Sequence, residues 1–250
     1  MSHILVTGST DGLGRGAAES LLANGHTVVV HARNEQRAEA VAPLIERGAE
    51  LFVADLSDRE QVVEGAVRLN AGTPIDAVIH NAGILSGAAV LPVNVIAPYL
   101  FTALLRTPAR HVYLSSGMHR SGQPTLDGLD WSGREATATY SDSKLFVSTL
   151  AAAVAQRWPD IQANSVDPGW VATKMGGAGA PDDFDLGYET QARLATDPQA
   201  RISGGYWHHG AQQKPHASVE DPAFQARLIN VLAAETGVEL PERMPPSDEF

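Results

Sequence analysis

The chain has 250 residues, of which 44% are apolar and 19% charged, enough for one hydrophobic core and far from the composition of a disordered chain. A formal net charge of -11 opposes nucleic acid and anionic lipid as partners, because both require clustered Lys and Arg. Cysteine is absent, which excludes disulfides and thiolate metal sites, and no apolar run approaches the roughly 18 residues of a membrane span.

Ile4-Leu5-Val6 reads as a short buried strand that ends in a glycine-rich turn, and Leu13, Ala17, Ala18, Leu21 and Leu22 recur at helical spacing after it. No basic n-region or apolar h-region precedes the strand, so a cytoplasmic location is expected. Thr27 to Val30 forms a second strand behind the helix-stop signal Asn24-Gly25. The pattern then repeats as a helix over 35–47, a strand over 50–53, a helix over 57–69 and a strand at Ala77 to His80. Further strands are expected at His111 to Leu114 and near Ala163 to Val166, with a helix from Thr139 to Arg157 stopped by Trp158-Pro159. Such alternation predicts one α/β domain, a doubly wound parallel sheet of the Rossmann type. A substrate lid is expected over 174–205, glycine-rich from Gly176, and a poorly ordered tail over 241–250.

Thr7-Gly8-Ser9-Thr10-Asp11-Gly12-Leu13-Gly14 lies between the first strand and helix, where glycines let the backbone approach a pyrophosphate at a helix N-terminus. At the end of the second strand stands His31-Ala32-Arg33-Asn34, with no acid to repel a ribose 2′-phosphate. Arg33 and Arg15 are candidates for that phosphate, which favours NADP(H) over NAD(H); Arg33 could also be a solvated strand end. Asp55 and Leu56 follow the third strand, Asp55 being placed for an adenine amino group or, equally, for a turn.

Tyr140 and Lys144 lie one helical turn apart, so they share a face, and an adjacent ammonium would favour phenolate and lower the phenol pKa. Many such pairs are only structural. Ser115-Ser116-Gly117 ends a strand at the same sheet edge, without a Gly-x-Ser-x-Gly or triad pattern, so a hydrolase is not expected. Metal is not expected at His119, His208 and His209, which lack a ligand array. Met175, Phe184, Tyr188, Tyr206 and Trp207 could line an apolar pocket or simply pack a core.

Together these motifs, over residues 3 to 210, resemble the short-chain dehydrogenase/reductase family, and most of all its branch of retinol dehydrogenases and related NADP-linked reductases. The resemblance implies that Thr7 to Gly14, Asp55 and Asn81-Ala82-Gly83 form the cofactor side. It likewise implies that Pro168-Gly169-Trp170-Val171-Ala172-Thr173 binds the nicotinamide through its backbone and the hydroxyl of Thr173. By the same likeness Asn94 supports a proton relay, Ser116 holds the substrate oxygen, Tyr140 exchanges the proton, and Lys144 binds ribose and tunes Tyr140. The expected substrate is a small, fairly apolar carbonyl or alcohol, and a homodimer or homotetramer is compatible. One departure stands out: only ten residues separate Gly83 from Asn94, so the next helix must start short or rearranged. The rival reading is a regulatory protein that binds NADP(H) without turnover.

Overall fold

The computed structural model describes residues 1–241, so the expected tail lies outside the described residues apart from Pro241. Four successive buried residues form β1 (His3–Val6), the unbroken pattern that a parallel strand covered on both faces requires. Helix α1 (Gly12–Ala23) leaves the glycine turn and returns the chain to β2 (Thr27–Ala32). The helix expected over 35–47 is instead broken into α2 (Glu35–Ala38), a 3₁₀ turn (Glu39–Val41) and α3 (Ala42–Ile45). Pro43 accounts for the break, since its nitrogen carries no hydrogen to bond the carbonyl one turn back.

Strand β3 (Glu50–Val53) is followed by α4 (Arg59–Ala71), which starts where the Asp58 carboxylate accepts the N–H groups of Glu60 and Gln61. After β4 (Ala77–His80) the chain passes through a π-helical turn (Pro92–Ile96) into α5 (Ala97–Leu104), the rearrangement that the short spacing demanded. Next come β5 (Arg110–Leu114) and the long α6 (Tyr140–Arg157), whose N-cap Thr139 exchanges hydrogen bonds with Asp142 in a capping box. β6 (Gln162–Asp167), α7 (Phe184–Thr196), β7 (Tyr206–His208), β8 (Ala211–Gln213) and α8 (Pro222–Thr236) complete the chain.

The strands form one sheet in the order β3-β2-β1-β4-β5-β6-β7-β8, parallel throughout except for β8, which pairs antiparallel with β7. Successive residues of β1 face opposite cores: Ile4 and Val6 pack with Ala17, Leu21 and Ala195, whereas Leu5 packs with Phe101, Leu150 and Leu228. Strand order reverses between β1 and β4, and the crevice at that switch point is where such sheets bind ligands. Within the expected lid, 184–196 are helical and lie against α1, leaving the stretch before Phe184 largely irregular. No helix of the described residues is long and apolar enough to cross a membrane.

Candidate active site

The glycine turn is shaped by close approach. Gly8 and Gly12 have positive φ (67° and 54°), and a Cβ on Gly14 would collide with Asn81 Nδ2 and the Gly8 carbonyl oxygen. Asn81 holds the turn by donating to the carbonyls of Thr7 (2.9 Å) and Gly8 (3.2 Å), while the Ala82 N–H donates to Thr7 Oγ1 (3.0 Å). Ser9 is buried, its hydroxyl donating to Val6 O and accepting from His31 N–H, so it supports the turn from beneath. Asp11 is the N-cap of α1 but makes no capping bond, which leaves the first N–H groups of the helix open towards the cleft.

Three residues at this end were not singled out from the sequence. His31 is buried beneath the turn: its Nδ1 accepts the Gly8 N–H (2.9 Å) and its Nε2 donates to Ala54 O (2.9 Å), and burial lowers its pKa to about 4. A histidine at a strand end was legible only as the absence of an acid. Arg37 donates to Thr10 Oγ1 (2.9 Å) and Asp11 Oδ2 (2.7 Å), and Lys174 reaches the same oxygen from across the cleft at 3.0 Å. Burial raises the Asp11 pKa, but Lys174 and Arg37 outweigh it and hold the carboxyl below its ordinary range. The signal for Arg37 was Asn34, whose side chain caps α2 and sets Arg37 one turn beyond the strand.

Arg15 departs from expectation. Its guanidinium pairs with Glu19 (2.7 Å) and donates to Ala40 O (3.0 Å), which draws it along α1 away from the cleft, because position i+4 on a helix is its nearest partner. Arg33 does line the cleft, exposed and without a hydrogen bond or ion pair among the described residues. Asp55 and Leu56 line it too, and Asp55 Oδ1 accepts both the N–H and the hydroxyl of Ser57, so the residue also serves its turn. The cleft, about 400 Å³, continues past Gly83 to Lys144 and Tyr140.

At the catalytic end α6 places Tyr140 and Lys144 as its spacing requires, yet their electrostatics differ from the sequence reading. The Lys144 ammonium is buried, donates to Leu114 O (2.6 Å) and lies 5.4 Å from the Tyr140 ring centre. Burial lowers its pKa to about 8. Burial likewise raises Tyr140, to about 12, with the Ser116 hydroxyl opposing and the Asp167 charge adding to the rise. The expected lowering by Lys144 is therefore replaced by desolvation, and Tyr140 is a protonated donor at neutral pH. Ser115 is turned inward to Ser148 (2.6 Å), whereas Ser116 lies beside Tyr140 and accepts Met118 N–H. Asn94, in the π turn, bonds both backbone groups of Ile84 and donates to Ser143 Oγ (2.9 Å), tying the loop after β4 to α6.

A second cavity of about 600 Å³ shares Leu13, Tyr140, Pro168, Thr173 and Met175 with the cleft. Gly169 has φ 81°, and Val171, buried, packs beneath α7, so the segment from Pro168 to Thr173 forms the partition between the two spaces. Trp170 and Met175 contribute exposed apolar surface to the second cavity, whereas Tyr206 is fully buried in the sheet.

A family model described as short chain dehydrogenase matches residues 2–104. The short-chain dehydrogenase chyC of Penicillium rubens is 37% identical over 259 residues, covering 96% of this chain and all of that one. A Streptomyces protein (strain C5), named as a proposed daunorubicin C-13 ketoreductase, is 30% identical over 94% of this chain and 92% of its own. Among solved structures, a Shigella flexneri protein named as a proposed short chain dehydrogenase, complexed with NADP, superposes with a TM-score of 0.67 at 25% identity, covering 84% of this chain and 97% of that one.

Proposed function

This chain belongs to the short-chain dehydrogenase/reductase family, and on that footing we propose that it is a cytoplasmic NADP(H)-dependent oxidoreductase interconverting a carbonyl and an alcohol. The observation that carries the reading is Tyr140, a protonated phenol flanked by Ser116, on the wall common to the nucleotide cleft and the second cavity. The cleft fits a dinucleotide: Gly8, Gly12 and Gly14 line it without side chains, and the first turn of α1 carries no acidic side chain. Gly8, Gly12 and Gly14 would receive the pyrophosphate, Asp55 and Leu56 the adenine side, and Pro168, Gly169, Val171 and Thr173 the nicotinamide. When bound, the nicotinamide nucleotide supplies or takes up the hydride.

The chain's own residues supply the proton and the orientation. Tyr140 gives its proton to the carbonyl oxygen, and the Ser116 hydroxyl donates a hydrogen bond to the same atom as negative charge develops there. Lys144, held by Leu114 O, places a buried cation beneath the phenol, and Asn94 keeps the loop after β4 against α6. Preference for NADP(H) rests on Arg33, which lines the cleft and whose guanidinium has no other partner among the described residues. The NADP bound by the Shigella protein agrees with that preference.

The test is NADPH consumption against a broad panel of ketones and aldehydes. Tyr140→Phe is expected to reduce kcat by at least about 100-fold, the usual worth of a positioned acid, with NADPH affinity nearly unchanged. Tight NADPH binding without turnover on the whole panel would return the chain to the regulatory reading. Arg33→Ala is expected to raise the KM for NADPH by roughly tenfold and leave that for NADH in place, the loss of one charge-assisted contact.

A further inference from the structure

The second cavity contains a carboxylate that the proposed chemistry does not use. Asp167 is the last residue of β6, its side chain 13% exposed on the wall that also carries Ser116 and Tyr140. Oδ1 accepts the Gly169 N–H at 3.0 Å. Oδ2 faces the imidazole of His208 at 3.6 Å, whose Nδ1 donates to the main-chain carbonyl of Asp167 (3.3 Å). Opposite Oδ2 stands Gly117, where a Cβ would come within 3.2 Å of the carboxylate, so glycine there keeps the approach open. The hydroxyl of Tyr206, 2% exposed, lies beside the Asp167 carboxylate: burial first, then the Asp167 charge and a long hydrogen bond to it, raise its pKa.

A carboxylate oxygen accepts more than one hydrogen bond, so Asp167 keeps acceptor capacity towards the cavity beside the Tyr206 hydroxyl and His208. Leu85, Met118, Trp170 and Met175 give the remaining wall an apolar character, and the Asp182 carboxylate, engaged by Trp170 N–H, adds a second negative charge. The cavity therefore suits an apolar body with a polar donor and repels an anion.

Resting on the carbonyl-reduction reading above, we propose that Asp167 determines substrate choice by accepting a hydrogen bond from a hydroxyl borne next to the reducible carbonyl, so that uncharged hydroxyketones are preferred and keto acids rejected.

The test compares kcat/KM, with NADPH, for 2-hydroxyacetophenone, acetophenone, 2-aminoacetophenone and benzoylformate in wild type and Asp167→Asn. Asparagine keeps an acceptor for Gly169 and the side-chain volume but replaces the second oxygen with a donor. Wild type is expected to favour 2-hydroxyacetophenone over acetophenone by roughly 10- to 100-fold, the worth of one hydrogen bond to a charged group. Asp167→Asn should bring that ratio below about threefold and raise benzoylformate relative to acetophenone. A wild-type ratio near one, or a ratio that survives the substitution, overturns the assignment while carbonyl reduction stands; the wild-type ratio alone decides it if the variant does not fold. A larger advantage for the aminoketone would show selection for positive charge and would also overturn it. If no ketone of this set or of the broad panel is reduced, the underlying reading has failed and this inference falls with it.

Discussion

Gly14 and Gly25 are both glycines at turns of the first βαβ unit, but they answer to different constraints. A Cβ on Gly14 would meet Asn81 and the Gly8 carbonyl, whereas Gly25, at φ 79°, has nothing within 4 Å. Gly14→Ala is therefore expected to destabilise the protein by about 1–3 kcal/mol, as overpacking does, and to weaken NADPH binding by opening the turn. Gly25→Ala should cost only the left-handed strain, about 1–2 kcal/mol, with cofactor affinity intact. Urea denaturation combined with NADPH titration separates the two, and an equal loss of affinity in both would refute the distinction. At this scale the glycine spacing, Tyr140 and Lys144 were legible because each is a local pattern. The direction of the Tyr140 shift was not, because it depends on how deeply the phenol is buried and on Lys144 being held by Leu114 O.

Helices α1 and α7 meet across glycines: a Cβ on Gly16 would stand 2.6 Å from the Tyr188 ring, and one on Gly187 would stand 2.8 Å from Leu13 and 2.9 Å from Val171. This contact joins the cofactor helix to the partition between the two cavities, so α7 is docked and not freely hinged. Gly187→Leu should lower stability by roughly 1–3 kcal/mol and raise the KM for NADPH through Leu13, which lines the cleft. Gly179→Ala, in open space before α7, should change stability by less than about 0.5 kcal/mol. Thermal melts and NADPH kinetics check both, and comparable losses would show that α7 does not carry the coupling. Strands β1 to β6 and α6 were readable from apolar runs and caps. Helix α5 was not, because six of its eight residues are buried and the segment is apolar almost throughout, with no polar face to mark it. The 206–208 strand forms on the edge that β6 offers, and 211–213 pairs in turn with 206–208.

Across the whole molecule, three histidines are buried neutral within the sheet layer. Burial takes His31 to about 4 and His111 to about 3, and holds His80, stacked on His111, well below its ordinary value. The unfolded chain titrates these groups near 6.5, so below that pH it binds more protons than the folded one. The stabilisation is complete above about pH 6.5 and is lost as pH falls through the folded values. For His31 alone the loss between pH 6.5 and 5 is about 2 kcal/mol. Urea midpoints measured over that range should fall with pH and fall less in His31→Asn; a flat profile would contradict the burial argument. Fold class, strand sequence, the glycine turn and the Tyr140–Lys144 pair were determined by the sequence alone, since strand runs, turn glycines and helical spacing are properties of near neighbours. That Arg37 and Lys174 meet Asp11 while Arg15 turns away, that His31 supports the turn, and that Asp167 opens into the cavity of Tyr140 were decided only by tertiary structure. These contacts join segments that follow β1, β2 and β6, strands far apart in the sequence, and pairings across such sequence distances depend on packing that no local pattern encodes.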